Sequence, residues 1–180
     1  MLHIGTIMLY ICQLRLGGVI MSKKKGFSLV ELLIVLAVMA ALIATITPVA
    51  LNAIKKSKAT QVAQNLKTLA SALENAAYVN GVDENGIKKP DGIGHFSGTN
   101  DITILARDIN KDTYGVWYKD LGSGQYEVAV FTTENVDYTS VKSVLESANS
   151  SFNMDNPDAT LGVTTDSGVT AAYTFTFTVY

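Results

Sequence analysis

A single carboxylate at the head of a long uncharged segment is the residue whose chemistry most needs explaining. Glu31 directly precedes residues 32–51, which contain no charged side chain. This length matches the roughly 20 residues that an α-helix needs to cross a hydrocarbon layer about 30 Å thick. A carboxylate inside such a layer costs several kcal/mol unless it is paired or interfacial. Glu31 is therefore either a solvated acid that favours the first helical turn, or one member of an ion pair.

The residues that flank this segment indicate how it would be inserted. Lys23, Lys24 and Lys25 lie just before it. The positive-inside rule then places the N-terminus in the cytoplasm and the C-terminal body outside. A secretory signal is the alternative, but it would have a shorter apolar core and a small-residue cleavage site. Here the apolar run is long and continues into a helical pattern, which favours a membrane anchor.

Composition narrows the functional classes. The net charge is −2, and the residues after Gly26 carry 10 basic and all 16 acidic side chains. A mildly acidic body without a basic stripe argues against a dedicated nucleic-acid binder. No nucleophile–base pair, zinc spacing or phosphate loop is found, so an enzyme is not predicted. The one cysteine is Cys12, so the residues after Gly26 contain no thiol and can form no disulfide.

The residues from Lys24 to Leu33 resemble the class III signal of type IV prepilins and pseudopilins. A basic leader, Gly26, Phe27 and a glutamate five residues after the glycine precede the long apolar run. Pro48 also falls where this family commonly has a helix-kinking proline. The resemblance covers residues 22 to about 60.

The resemblance implies a processing pathway. A membrane aspartyl prepilin peptidase would cut between Gly26 and Phe27 and N-methylate the new amine of Phe27. Glu31 would then pair with the Phe27 amine of a neighbouring subunit, and methylation keeps that charge. Expected partners are copies of the chain, minor pilins, the peptidase and methyltransferase, and an inner-membrane assembly platform. The precursor would cross the cytoplasmic membrane once and then enter a surface or periplasmic filament.

Residues 1–26 are predicted to be the leader. Residues 1–20 form only a marginal apolar segment that Arg15 interrupts, whereas Met21 begins a short basic leader typical of the family. We expect translation to start at Met21, which makes residues 1–20 upstream sequence. A longer leader is the alternative.

A single helix is predicted over residues 28–78. Residues 27–51 would form its membrane and polymerisation half and residues 52–80 its amphipathic half, with a stripe made of Val62, Leu66, Leu69, Leu73 and Ala76 or Ala77. Pro48 should kink the helix or melt residues 44–47, where Thr45 and Thr47 can back-bond to carbonyls. This would be either a flexible stretch or a static kink. Lys55, Lys56 and Lys58 are expected at the outer membrane surface, either solvated or contacting acidic groups of neighbouring subunits.

The fold class predicted is α+β, in which the long helix packs on a small antiparallel sheet in a pilin-like head of residues 81–180. Residues 81–113 are predicted to be a loop with a short element at 102–109. Strands are expected at 114–119, 125–132 and 169–180, with a hairpin turn at 121–124, a short helix at 137–147 and a polar loop at 149–160. The last strand should direct alternate residues from Ala171 to Val179 to the helix and its threonines to solvent or a neighbour.

Three loop acids are candidate calcium ligands: Asp155, Asp158 and Asp166. The major pseudopilin of type II secretion systems is similar in having a C-terminal calcium loop. Their spacing fits no fixed calcium motif, so solvated acids are favoured and no cofactor is predicted. His95 is a lone loop histidine, more typical of a locally bonded side chain than of a catalytic one.

Three functions are compatible with these patterns. The leading hypothesis is a structural subunit of a type IV pilus-like filament. The second is a pseudopilin of a type II secretion system. The third, of another class, is a single-pass membrane protein whose head binds a partner without polymerising. The effect of removing the Glu31 carboxylate on filament assembly distinguishes the third from the other two.

Overall fold

The computed structural model describes residues 26–180. The predicted leader up to Lys25, the expected start at Met21 and Cys12 lie outside the described residues. Helix α1 covers Leu29–Asn80, 52 residues, close to the predicted 28–78. It ends two residues beyond the predicted 78, just before Gly81, which takes a positive φ of 84° that suits glycine and whose amide donates to the Ala77 carbonyl.

Side-chain burial along α1 begins at one residue. Every residue from 26 to 58 is exposed, and Ala59 is the first that is fully buried. From there a helical stripe packs into the core, comprising Ala59, Val62, Ala63, Leu66, Leu69, Ala70, Leu73 and Ala77. The predicted stripe is thereby confirmed, with Ala77 rather than Ala76 at its end. Asn65, a polar residue of the same helix, is half-buried and donates to the Tyr114 hydroxyl at 3.1 Å.

The head is built on a five-stranded antiparallel sheet with the order β5-β7-β4-β3-β6. Its strands are β3 (Tyr114–Gly122), β4 (Gln125–Thr132), β5 (Ala148–Asn149), β6 (Ala159–Gly162) and β7 (Ala171–Thr178). A separate two-stranded hairpin precedes it, formed by β1 (Val82–Asp83) and β2 (Gly86–Ile87). The antiparallel α+β arrangement, with a long apolar N-terminal helix packed on sheet, is the predicted pilin-like fold.

The predicted β3–β4 hairpin is confirmed and its turn is tighter than expected. Ser123 and Gly124 form the two-residue connection, and both have positive φ, 55° and 75°. Positive φ at both central residues is the requirement of a type I′ turn, which matches the twist of the strands it joins. Strand β3 extends three residues beyond the predicted 119 because the pairing continues to Gly122 and Gln125.

The sheet has an apolar cluster on each face. Tyr126, Val128 and Val130 of β4 belong to the cluster that contains the α1 stripe. Ala129 and Phe131 belong to the opposite cluster, as their alternation predicts. The second cluster also contains Trp117, Met154 and Ala172, with Phe152, Val163 and Val169 packed against it. The segment predicted as a polar loop therefore supplies aromatic and aliphatic cover for the outer face of the sheet.

Several local predictions are wrong in their bounds. Strand β6 takes the last two residues of the predicted loop 149–160 and continues to Gly162, because four residues can form a strand when β3 offers a ladder from Gly115 to Tyr118. The predicted loop 81–113 contains β1, β2, a 3₁₀ turn (Thr99–Asp101) and helix α2 (Ile102–Leu105), which is shorter than 102–109. Helix α3 covers only Tyr138–Val144, since Asp137 is its N-cap and not its first residue.

The alternation predicted for β7 is only partly observed. Ala171 and Phe177 are buried on the helix side, whereas Tyr173 and Phe175 are half-buried. Thr176 is exposed, but Thr174 is half-buried. Ala172 on the opposite face is also buried, because the outer cluster covers this end of the strand.

Candidate processing and assembly site

The predicted cleavage bond lies just before the helix. Residues 26–28 have no regular secondary structure and are exposed, and α1 begins at Leu29. A Cβ added to Gly26 would meet no atom within 4 Å. The chain's own fold therefore does not require glycine at this position. A requirement for glycine there would come from the enzyme that cuts the bond.

Phe27 is 75% exposed, so its side chain makes little contact with the rest of the described chain. At the start of the helix, the Leu32 amide donates a hydrogen bond to the Ser28 carbonyl at 3.1 Å. Cleavage after Gly26 would place a new amine two residues before the helix. The positive end of the helix macrodipole disfavours a cation there, so a nearby carboxylate would offset that repulsion.

Glu31 lies in the first turn of α1 and is exposed. Among residues 26–180, no lysine, arginine or histidine forms an ion pair with it. The macrodipole favours an acid at this position, but a carboxylate in an apolar setting also needs a cation. The geometry thus leaves Glu31 available to a group from outside the described chain.

The surface around Glu31 is apolar over a long stretch of helix. The large apolar side chains between Leu29 and Ile54 are each 48–74% exposed. Water-soluble domains rarely leave so continuous an apolar surface uncovered. Within residues 26–180, α1 is the one helix long and apolar enough to cross a membrane by length and composition.

Pro48 lies inside α1, and the helix continues through it. The part of the prediction that residues 44–47 would melt is therefore wrong, because the flanking hydrogen bonds hold the helical backbone around the missing amide hydrogen. The Thr45 hydroxyl donates to the Leu42 carbonyl at 2.9 Å, as predicted for a back-bonding threonine. The kink itself stays a prediction.

The three calcium candidates are not brought together. Asp158 accepts a hydrogen bond from the Asp120 amide at 2.6 Å, which fixes the end of β3. The Asp155 carbonyl accepts from the Lys119 ammonium at 2.8 Å, so a cation already lies beside it. In the described part of the chain, Asp166 joins no group of three or more metal-ligating side chains able to hold an ion.

The loop before the sheet is held by charged side chains. His95 Nε2 lies 2.8 Å from Asp83 Oδ1, in an alignment outside hydrogen-bond geometry. The amide of Asn85 and then His95 lower the pKa of Asp83. Burial raises the pKa of Asp101, but the Gly98 amide and the Lys89 ammonium outweigh it, so that the pKa lies below its ordinary value. His95 therefore lies beside a carboxylate that helps to hold this loop, as expected for a locally bonded side chain.

One contact between α1 and the connection that follows β4 was not predicted. The Lys58 ammonium donates to the Asn135 carbonyl at 2.8 Å, across 77 residues of sequence. Lys58 was expected to be solvated or to contact another subunit. No signal in the sequence pairs these two residues, because Asn135 lies in an irregular connection between β4 and α3.

The comparisons with known proteins concern the N-terminal segment. Residues 21–47 match the family model of the prokaryotic N-terminal methylation motif. No curated protein and no solved structure matches the chain. The motif spans the Gly26–Phe27 bond, Glu31 and the start of the exposed apolar helix. Together with the pilin-like fold it indicates a membrane-anchored precursor, and the chain carries the prepilin-type signal of type IV pilins and pseudopilins.

Proposed function

We propose that this chain is a structural, non-enzymatic subunit of a type IV pilus-like filament. It is cut after Gly26, N-methylated on Phe27 and assembled through the apolar half of α1. The observation that carries the proposal is the combination of the methylation motif with a helix whose apolar side chains are exposed from Leu29 to Ile54. Such a surface needs lipid before assembly and other copies of itself afterwards.

Glu31 supplies the register of this assembly. In a layer of low dielectric, a carboxylate and an amine stabilise each other only when they lie at the same depth. A subunit whose Phe27 amine meets the Glu31 carboxylate of a neighbour is therefore positioned along the filament axis. We treat this pair as a device for alignment, since the cost of desolvating both charges offsets much of their attraction.

The head takes no part in chemistry under this proposal. Its polar clusters are bonded internally, as Asp101 and Asp83 illustrate. Its role is to form the outer surface of the filament. Its stability comes from the two apolar clusters of the sheet.

The deciding experiment is to isolate the protein from cells and determine its mass and its first residue. We expect N-methyl-Phe27 as the first residue and recovery of the protein in sheared or sedimented filaments. Electron microscopy of intact cells then separates a surface pilus from a periplasmic pseudopilus. Recovery of the protein with its lysine-rich leader intact, or only as isolated membrane subunits, would refute the proposal.

A further inference from the structure

We propose that the cleft between α1 and the β4–α3 connection binds the phosphate group of an anionic phospholipid. The cleft has a volume of about 350 Å³ and is lined by Lys55, Lys58, Asn135, Val136 and Asp137. The inference rests on the proposed function only in treating the chain as a membrane-anchored precursor. It assigns a ligand class to residues that the processing motif does not include.

The two lysines are arranged on one side of the helix. Lys55 and Lys58 are three residues apart, so they lie next to each other on the surface of α1. Both line the cleft, whereas Lys56, between them in sequence, does not. Two lysine side chains thus border one space, and a phosphate diester with its single negative charge fits a site with that excess of positive charge.

Lys58 is held in place by the head. Its ammonium donates to the Asn135 carbonyl at 2.8 Å. An ammonium has three N–H donors, so two remain for a ligand. The carbonyl is neutral and leaves the charge of Lys58 uncompensated. Among residues 26–180, Lys55 and Lys58 form no ion pair with any carboxylate.

Asp137 is the one acid that lines the cleft, and its carboxylate is already engaged. It accepts from the Ser140 amide at 3.0 Å, the Ser140 hydroxyl at 2.6 Å and the Thr139 hydroxyl at 2.7 Å. These bonds cap α3 and direct the carboxylate to its own helix. The cleft therefore keeps an excess of positive charge.

The position of the cleft along the chain favours a lipid over other anions. Lys55 and Lys58 follow the last residue of the uncharged run, Leu51, by about 6 and 10 Å of helix at 1.5 Å per residue. A headgroup layer extends about 5–8 Å beyond the hydrocarbon on each side. The ammonium groups, on flexible stems, lie within reach of lipid phosphates.

The charge pattern also requires an explanation that a phospholipid provides. In the proposed orientation Lys55, Lys56 and Lys58 flank the exported end of the span. Lysines at that end act against the bias that orients the helix. Anionic headgroups in the facing leaflet would offset this disadvantage and hold the precursor at one depth.

The test uses the full-length precursor in zwitterionic micelles, titrated with short-chain phosphatidylglycerol while the backbone amide signals of residues 135–137 are followed by NMR. Short-chain phosphatidylcholine and inorganic phosphate are titrated in parallel. We expect saturable shifts with phosphatidylglycerol and much weaker ones with the other two. Lys55→Gln should weaken binding about fivefold, and the double variant with Lys58→Gln about 25-fold, since the loss of one specific hydrogen bond to the phosphate corresponds to about that factor.

Lys56→Gln is the matched control, because it removes the same charge at the same depth but outside the cleft. It should change binding less than twofold, and the Lys55→Arg, Lys58→Arg double variant should retain it. An equal loss with Lys56→Gln would show diffuse attraction and overturn the proposal. Binding of inorganic phosphate as tight as that of phosphatidylglycerol, or unchanged binding in the double glutamine variant, would also overturn it. Because only uncleaved monomers are measured, the result is independent of whether filaments form.

Discussion

Replacing Glu31 by glutamine should separate membrane insertion from assembly. The side chain keeps its shape but loses its charge. Inside lipid this change removes a costly carboxylate, so the variant should be retained in the membrane at least as well as the wild-type chain. It should also be cut after Gly26, because Gly26 and Phe27 lie outside the helix and their exposure does not depend on Glu31.

Assembly should respond in the opposite direction. Removing one partner of a buried ion pair leaves the other charge unpaired, at a cost of about 3–5 kcal/mol. With 1.36 kcal/mol per factor of ten, this corresponds to a reduction of roughly 2.2 to 3.7 orders of magnitude in the equilibrium for adding a subunit. Among residues 26–180 Glu31 has no other cation to pair with, so no contact within the described chain compensates.

The assay measures three quantities from the same cells: the amount of subunit in the membrane, the amount of subunit with the processed mass, and the amount of subunit in sedimented filaments. We expect normal amounts in the first two and a loss of filaments in the third. A mixture of wild-type and Glu31→Gln subunits adds a stringent control. The variant keeps its own Phe27 amine, which can still pair with a wild-type carboxylate, so it should enter mixed filaments. Wild-type filament yield from Glu31→Gln alone would refute the reasoning, and exclusion from mixed filaments would refute pairing between subunits.

The remaining predictions concern cleavage and the head. Gly26→Ala should leave the fold unchanged, because a Cβ there meets no atom within 4 Å. It should nevertheless slow the cleavage reaction, as measured by the mass of the product. Unchanged cleavage would mean that the enzyme does not require glycine. Gly115→Ala should destabilise the head by about 1–3 kcal/mol in denaturant unfolding, since its Cβ would overlap the Phe131 ring, and Phe131→Leu should recover part of the loss; purely additive effects would contradict this overlap. Asp101→Asn should lower the free energy of unfolding by about 2–3 kcal/mol at neutral pH, because a charged acceptor with two amide donors and Lys89 is lost. Since the folded pKa of Asp101 is lowered from 3.8, its contribution is present above that value and lost as pH falls below it, so the difference between the two proteins should shrink in acid; a constant difference would contradict the assignment.

The elements that sequence predicts well are those with long periodic patterns. The α1 stripe repeats over five turns, and the β3–β4 hairpin combines alternating side chains with a Ser-Gly turn. Each of these patterns reflects burial on one face, which leaves a regular trace in the sequence. The processing segment is recognised in another way, since its residues are exposed and the methylation motif is identified by residue types and their spacing.

The elements that sequence misses are stabilised by distant partners. Strand β6 has only four residues, and its ladder with β3 supplies what its own composition lacks. The contact between Lys58 and Asn135 joins residues that share no local pattern. Asn65 has a polar side chain on a helix, and only the position of the Tyr114 hydroxyl makes it half-buried. Short strands and single side-chain contacts depend on the assembled fold and leave no periodic signal.

The start of burial at Ala59 also bears on what would drive the proposed polymerisation. Side chains from Leu29 to Ile54 gain nothing from the hydrophobic effect when they leave lipid for a bundle of identical helices, because acyl chains are as apolar as leucine. Close van der Waals fit and a few polar contacts then decide the balance between membrane and fibre. Under the proposed function, a balance made of such small terms means that modest changes in helix packing would shift subunits between bilayer and filament.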